Sequence, residues 1–231
     1  MSAQVPVITL DGPGGAGKGT LAGKLSTWLG WSLLDSGALY RLVGLGALRE
    51  NLSVDIDDDI QRAADQARAL DVRFIAGDDG QRIELAGENV TQTIRQDEIA
   101  KAASRWATIP AVREALLARQ RTFAAAPGLI ADGRDMGTVI FPDADLKIFV
   151  TASAEERARR RHEQLSAQGE TASLSRIYRE IVDRDTRDAS RKASPLKPAD
   201  DAYVIDTTGD SVAASARKVR DLVVAKGWLV D

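Results

Sequence analysis

The length, composition and charge of this chain limit the chemistry that it can perform. Its 231 residues include no Cys and a single His, His162, which excludes disulfides, thiolate metal sites, cysteine nucleophiles and sites with several histidine ligands. The net charge of −3 argues against a dedicated nucleic-acid-binding protein. With 44% hydrophobic and 28% charged residues the chain is typical of a globular fold, in which carboxylates, cations, hydroxyls and backbone amides must do the chemistry.

The first third of the chain alternates between predicted strands and helices. Residues 5–10 form an apolar run that predicts a strand buried on both faces of a parallel sheet. A glycine-rich turn then leads into a helix over residues 18–29 that ends near Gly30. Residues 31–34 predict the second strand, and residues 36–50 predict the second helix.

Residues 71–90 interrupt this order. Apolar and polar residues alternate with a period of two on both sides of the turn Asp78-Asp79-Gly80, which predicts a small antiparallel hairpin or three-stranded sheet. We place this insertion at about residues 65–100, within an α/β core.

The second half returns to alternating elements. Strands are predicted at residues 129–131, 146–150 and 203–205, and helices at residues 112–125, 154–168, 174–189 and 211–226. Strands that alternate with helices favour an α/β fold with a parallel sheet flanked by helices.

A phosphate-binding loop is predicted between the first strand and the first helix. Its sequence is Gly12-Pro13-Gly14-Gly15-Ala16-Gly17-Lys18-Gly19-Thr20. Such a loop lets backbone N–H groups approach a polyphosphate, and the start of the helix adds partial positive charge. In this pattern Lys18 reaches the β- and γ-phosphate oxygens, while the hydroxyl of Thr20 faces Mg²⁺. An ordinary glycine-rich turn is the alternative, but the strand–helix context favours a nucleoside triphosphate site formed by all nine residues.

The cations are mostly arginine, and they are unevenly distributed. The chain has 23 Arg and 8 Lys, and nine of the Arg lie in residues 157–191. Codon bias is an equally good explanation of the overall ratio, but clustering indicates a local role, since a guanidinium fork matches phosphate geometry. Arg184, Arg187 and Arg191 recur at spacings of three and four, which predicts one helical face with Asp188 beside it. A solvated helix face is the alternative interpretation.

Two more segments place charged residues after predicted strands. Asp132 and Arg134 follow the strand at residues 129–131, at the sheet edge where parallel α/β folds bind ligands. Asp132 resembles an acid that holds Mg²⁺ through water, although a turn rich in Gly and Asp is the alternative. In residues 35–41, Ser36 or Asp35 can cap the second helix, and Arg41 is either a surface residue or a phosphate ligand.

Residues 12–20, 35–41, 132–144 and 183–191 together resemble bacterial cytidylate kinases, in that order along the chain. The resemblance covers essentially all of residues 1–231, including the β-rich insertion, and implies one P-loop kinase domain. It implies transfer of the γ-phosphoryl group of ATP, with Mg²⁺, to CMP or dCMP. Residues 155–191 would form an Arg-rich lid that closes over the substrates.

The same resemblance implies a role for individual residues. Lys18, Arg134, Arg184 and Arg191 would be catalytic, and Thr20 and Asp132 would bind Mg²⁺. The residues implied in CMP binding are Ser36, Arg41, Ser104, Arg113, Arg134, Asp135, Asp188 and Arg191. Of these, Ser104, Arg113 and Asp135 would meet the cytosine edge, and Asp188 the sugar hydroxyl. One departure is Gly14, where many members of the family have Ser.

We expect a cytoplasmic monomer with no membrane attachment and no stable nucleic-acid partner, since the N-terminal sequence has no targeting pattern. Residues 157–161 are interpreted as a solvated helix face, and His162 as an exposed residue. Two other functions stay open. One is another P-loop nucleoside-monophosphate or small-metabolite kinase, and the other is a nucleotide-dependent RNA-binding or regulatory ATPase that docks through its Arg cluster.

Overall fold

The structure is a computed structural model that describes residues 5–77, 80–167, 169–191 and 193–230. The chain forms two compact units. The first contains Met1–Leu34 and Phe123–Asp231, and the second contains Asp35–Thr122. Each unit is described by itself below.

Strands and helices follow one another along the chain with these bounds. The strands are β1 (Val7–Asp11), β2 (Ser32–Asp35), β3 (Val72–Gly77), β4 (Gly80–Leu85), β5 (Glu88–Asn89), β6 (Leu129–Asp132), β7 (Leu146–Thr151) and β8 (Tyr203–Asp206). The helices are α1 (Lys18–Leu29), α2 (Ser36–Arg49), α3 (Asp57–Arg68), α4 (Asp97–Trp106), α5 (Pro110–Arg121), α6 (Ala154–Ala167), α7 (Leu174–Ala189) and α8 (Val212–Ala225).

The first unit is built on a parallel sheet with the strand order β2-β6-β1-β7-β8. The central strand β1 is buried along its whole length, and its Ile8 pairs with Ile130 of β6 and Leu146 of β7. Apolar residues of α1 and α8 pack with these strands in one buried cluster. The predicted α/β fold with a parallel sheet flanked by helices is therefore confirmed.

The register of this sheet places the ends of β1 and β6 side by side. Leu10 of β1 pairs with Asp132, the last residue of β6. Because parallel strands end at a common edge, the loop after β1 and the segment after β6 start from adjacent points. This edge carries the candidate site described below.

The second unit contains the small antiparallel sheet β3-β4-β5. Phe74 pairs with Ile83, and Val72 with Leu85, as the period-two pattern predicts. Of the predicted turn, Asp78 and Asp79 lie outside the described residues.

Two helices of the second unit are absent from the sequence prediction. The buried face of α3 consists of Ala63, Ala64 and Ala67, which give little hydrophobic periodicity. The second helix absent from the prediction is α4. Helix α5 was predicted, but it begins earlier than expected because Pro110 suits the first helical position. Within the described ranges, none of the helices has both the length and the apolar character needed to cross a bilayer.

Candidate active site

The phosphate loop, residues 12–20, depends on backbone conformations that glycine permits. Gly12 has φ +143°, and a Cβ atom there would lie 1.9 Å from the carbonyl oxygen of Val150. Gly17 has φ +93° and directly precedes α1. Among the described residues, no side chain caps the start of this helix. The first N–H groups of α1 therefore point toward the loop without a side-chain acceptor, which suits an anionic ligand.

Lys18 is buried at the first position of α1. Its Nζ donates a hydrogen bond to the carbonyl oxygen of Pro13 at 3.0 Å and lies 3.8 Å from Oδ1 of Asp132. Burial, together with the charges of Arg134 and Arg184, lowers the pKa of Lys18 to about 8, although the nearby carboxylates of Asp132 and Asp11 oppose this shift. The ammonium group thus lies in a strongly cationic environment that a bound polyphosphate would neutralise.

Asp132 and Thr20 fit a Mg²⁺ ion that binds together with nucleotide phosphates. Oδ2 of Asp132 lies 3.6 Å from the position that a Cβ atom on Gly19 would take, next to Thr20 in α1. Carboxylate and hydroxyl oxygens are suitable ligands for Mg²⁺, which commonly binds one or two protein groups plus substrate phosphates. The described residues contain no group of three or more His, Asp or Glu side chains that could hold a metal ion by themselves.

A second group of charges surrounds Asp188, whose side chain is 1% exposed. Its Oδ2 accepts a hydrogen bond from Nε of Arg134 at 3.0 Å, and its Oδ1 accepts one from Nη2 of Arg191. Burial opposes ionisation of Asp188, but the charges of Arg134, Arg191 and Arg184 outweigh it, so the pKa of Asp188 lies below its usual value. We call these four residues the Asp188 cluster. Three cations and one anion give it a net positive charge.

The Asp188 cluster lies against the phosphate loop. A Cβ atom on Gly14 would be 3.4 Å from Nη2 of Arg134 and 3.5 Å from Nη1 of Arg184. Together with Lys18, the predicted catalytic residues therefore occupy one part of the first unit. Such a concentration of cations can stabilise charge on a phosphoryl group in transfer.

Asp11, at the end of β1, fixes the backbone next to the cluster. Its two carboxylate oxygens accept hydrogen bonds from the N–H groups of Met136 and Gly137, at 2.8 and 2.7 Å. Burial outweighs the opposing effect of these two hydrogen bonds and raises the pKa of Asp11 to about 6. Met136–Ile140 form a π-helical turn, and the buried Asp135 links this turn to Arg134.

The predicted CMP-binding residues divide between the two units. Arg134, Asp135, Asp188 and Arg191 belong to the first unit, and Ser36, Arg41, Ser104 and Arg113 to the second.

In the second unit, Ser104 and Arg113 are buried. The guanidinium of Arg113 donates to the carbonyl oxygen of Ala107 and lies 5.9 Å from the ring centre of Tyr40. The buried Oγ of Ser104 has no hydrogen-bond partner among the described residues. A buried hydroxyl in this state suits a polar ligand atom.

The start of α2 carries the other two predicted residues. Ser36 is buried at the first position of the helix, and Asp35 caps the helix by accepting a hydrogen bond from the N–H of Ala38. Arg41 is half-buried and donates to the carbonyl oxygen of Ile94 at 2.7 Å. Arg41 is therefore anchored rather than freely solvated.

Comparison with known proteins identifies the family. The cytidylate kinase family model matches residues 8–225. The chain belongs to the cytidylate kinase family. A cytidylate kinase of Pseudomonas paraeruginosa is 53% identical over 230 residues, which cover 99% of each chain. Others are 56% identical in Pseudomonas entomophila, over 95% of this chain and 96% of that protein, and 51% identical in Shewanella frigidimarina, over 98% of each.

Within this cytidylate kinase family member, one predicted arrangement of arginines is wrong. Helix α7 ends at Ala189, so Arg191 lies beyond it and reaches back to Asp188. Arg187 is exposed on α7 and does not join the cluster. Helical spacing therefore places only Arg184 and Asp188 of the Asp188 cluster on one face of α7. Arg191, another cation of the cluster, comes from the segment after the helix.

The predicted solvated face at residues 157–161 is also wrong in part. Arg159 is 53% exposed, as predicted, but Arg157 is 4% exposed. Arg160 is half-buried and donates to the carbonyl oxygen of Thr207, and His162 is half-buried rather than exposed. No periodicity marks Arg157 in the charged sequence of α6. Asp11 was also missed, and its only signal is an acidic residue at the end of a buried strand.

Proposed function

We propose that this protein transfers the γ-phosphoryl group of ATP to CMP or dCMP, giving ADP and CDP or dCDP. Membership of the cytidylate kinase family over residues 8–225 supports the acceptor. The observation that carries the chemistry is the position of the Asp188 cluster against the phosphate loop, next to the buried Lys18. A donor triphosphate and a transferring group both need cations at this place.

The phosphate loop would bind the donor. Backbone N–H groups of residues 12–20 would surround the β- and γ-phosphates, and Lys18 would exchange its Asp132 and Pro13 contacts for phosphate oxygens. Thr20 and Asp132 would hold Mg²⁺. When bound, this ion neutralises charge on the β- and γ-phosphates of ATP.

The Asp188 cluster would act on the group in transfer. An oxygen of the CMP phosphate forms the new bond to the γ-phosphorus while the bond to the bridging oxygen of ADP breaks. The attacking oxygen is already ionised, so the reaction needs no general base, in keeping with a site without Cys or His. Arg134, Arg184 and Arg191 would stabilise the negative charge on the transferring group, and Asp188 would hold two of them in place.

Recognition of the acceptor is assigned to the predicted CMP-binding residues. Arg41 would bind its phosphate, while Ser104, Arg113 and Asp135 would meet the cytosine edge. The buried hydroxyl of Ser104 supports this assignment, and so does the burial of Asp135, since a buried carboxylate can select an amino group. Asp188 would also meet the sugar hydroxyl.

We propose that residues 155–191 act as a lid in a single P-loop kinase domain, with the insertion at about residues 65–100 on the acceptor side. Closure would exclude water, which otherwise competes with CMP for the γ-phosphoryl group. We also propose a cytoplasmic monomer that has no stable nucleic-acid partner, in line with the net charge of −3. The mass in solution from light scattering tests the monomer.

Parallel assays of ADP release with CMP, dCMP, UMP and AMP test the proposed function. We expect the highest kcat/KM with CMP or dCMP, and little ADP release without an acceptor. A highest value with AMP would contradict the acceptor assignment. Acceptor-independent ATP hydrolysis together with RNA retention at moderate salt would favour a nucleotide-dependent RNA-binding ATPase instead.

A further inference from the structure

Arg157 has an environment unlike that of its neighbours on α6. Its side chain is 5% exposed, whereas that of Arg159, two positions later, is 53% exposed and pairs with Glu156 and Glu163 on the same helix. A buried guanidinium is unfavourable unless its charge and its N–H donors have partners. The partners of Arg157 therefore indicate what it is placed to do.

These partners lie on three separate segments of the chain. Nε of Arg157 donates to the carbonyl oxygen of Ala152 at 2.9 Å, and Nη1 donates to the carbonyl oxygen of Gly14 at 3.2 Å. Nη1 and Nη2 also donate to the two carboxylate oxygens of Asp185, at 3.1 and 2.6 Å. This two-pronged pairing fixes both the position and the orientation of the guanidinium.

The two ends of this connection belong to the two halves of the candidate site. Gly14 is in the phosphate loop, and its α-carbon faces the guanidinium tips of Arg134 and Arg184. Asp185 is in α7, directly after Arg184 and three residues before Asp188. Arg157 thus joins the backbone of the phosphate loop to the turn of α7 that carries two members of the Asp188 cluster.

We propose that Arg157 and Asp185 are positioning residues for phosphoryl transfer, which hold α7 in register with the phosphate loop so that the Asp188 cluster faces the γ-phosphoryl group. This inference rests on the proposed function. Misplacing a charge by about 1 Å in such a site can lower turnover by about 10²-fold, without loss of substrate binding. The pair acts on the rate of transfer through residues that it aligns and does not touch the substrates.

A double-mutant cycle tests the proposal, with Arg157→Lys, Asp185→Asn and the combined variant. Lysine keeps the charge but loses the fork, and Asp185→Asn leaves the bonds of Arg157 to Gly14 and Ala152 possible. Arg159→Lys is the matched control, since it makes the same substitution on the exposed side of α6. The measurements are kcat, the KM for ATP and for CMP, and Tm, with kinetics recorded well below the Tm of every variant.

We expect each single variant to lower kcat at least fivefold while both KM values change less than threefold. The combined variant should be no slower than the slower single variant, because both changes break one connection. Arg159→Lys should stay within twofold of the unmodified protein. If one single variant does not fold, the other carries the comparison.

Three results would overturn the proposal. They are a decrease in kcat of less than fivefold with a lower Tm, kcat losses that multiply in the combined variant, and failure of both single variants to fold. Any of these would make the pair a structural ion pair only. Failure of the proposed function would show in the unmodified protein, as a preference for another acceptor. The cycle is run with whichever acceptor the unmodified protein phosphorylates fastest, so its outcome is separate from that test.

Discussion

The phosphate loop and the Asp188 cluster are both suited to phosphate groups, but they are built differently. The loop is nine consecutive residues, and its shape depends on backbone conformation at positions such as Gly12. The cluster is made of side chains from separate segments, and Arg134 and Asp188 are 54 positions apart. The loop should therefore be sensitive to steric change, and the cluster to loss of charge.

Gly12→Ala should give the largest effect, because the new Cβ would lie 1.9 Å from the carbonyl oxygen of Val150 at a φ of +143°. Backbone strain and overpacking together should lower the free energy of unfolding by about 2–5 kcal/mol, measured by urea denaturation. Gly23→Ala in α1 is the control, since a Cβ there meets nothing within 4 Å. Equal stability of the two variants would contradict the steric account of the loop.

Lys18→Ala should lower turnover by about 10²–10³-fold while the fold survives, because it removes a cation from the donor phosphates. Coupled assays of ADP release measure the loss, and circular dichroism reports on the fold. Lys24→Ala, on the same helix, should have little effect. Near-normal turnover of Lys18→Ala would show that the loop acts through its backbone alone.

Arg191→Ala should lower turnover by about 10²-fold and also alter the acid stability. The depressed pKa of Asp188 gives stability that is present above about pH 4 and is lost as pH falls through the lower pKa of the folded state. Removing a cation raises that pKa, so acid unfolding should begin at a higher pH.

Arg187→Ala, an exposed change on α7, is the control for both measurements. An unchanged rate in Arg191→Ala would remove this residue from the catalytic group. An unchanged acid midpoint would show that its charge contributes little to the ionisation of Asp188.

ATP binding should be accompanied by proton uptake above pH 8. The pKa of Lys18 is about 8 without nucleotide, and anionic phosphates raise it, so binding at pH 8.5 should take up more than about half a proton per ATP. Calorimetry in buffers of different ionisation enthalpy measures this number. Lys18→Met should abolish the uptake, and proton release on binding would contradict the assigned cause.

Gly14→Ser should give the smallest effect. A Cβ at Gly14 is in ordinary contact distance of Arg134 and Arg184, and Gly14 is not among the glycines with positive φ. We expect kcat/KM for ATP to stay within about threefold of the unmodified protein. A loss of kcat/KM as large as that expected for Lys18→Ala would mean that the site tolerates no change in the distance between the Asp188 cluster and the phosphate loop.

Prediction from the sequence succeeded where the signal was local. Helix α1 begins at Lys18 and ends before Gly30, whose left-handed conformation closes it as predicted. The strands β6 and β7 lie within one residue of their predicted ends. By contrast, α3 was missed because alanine forms its buried face. The bounds of α7 agree with the prediction, but Arg191, which spacing alone assigned to its face, lies beyond the end of the helix.

The sequence by itself determined the phosphate loop, the α/β order of elements and the family resemblance, because each depends on residues that are close in the chain. Only the tertiary structure decided which charges are buried and which partners they have. Arg157 and Gly14 are 143 positions apart, and no spacing rule connects them. The physical reason is that burial and ion pairing depend on distances in space, whereas exposed and buried arginines of one helix look alike in sequence.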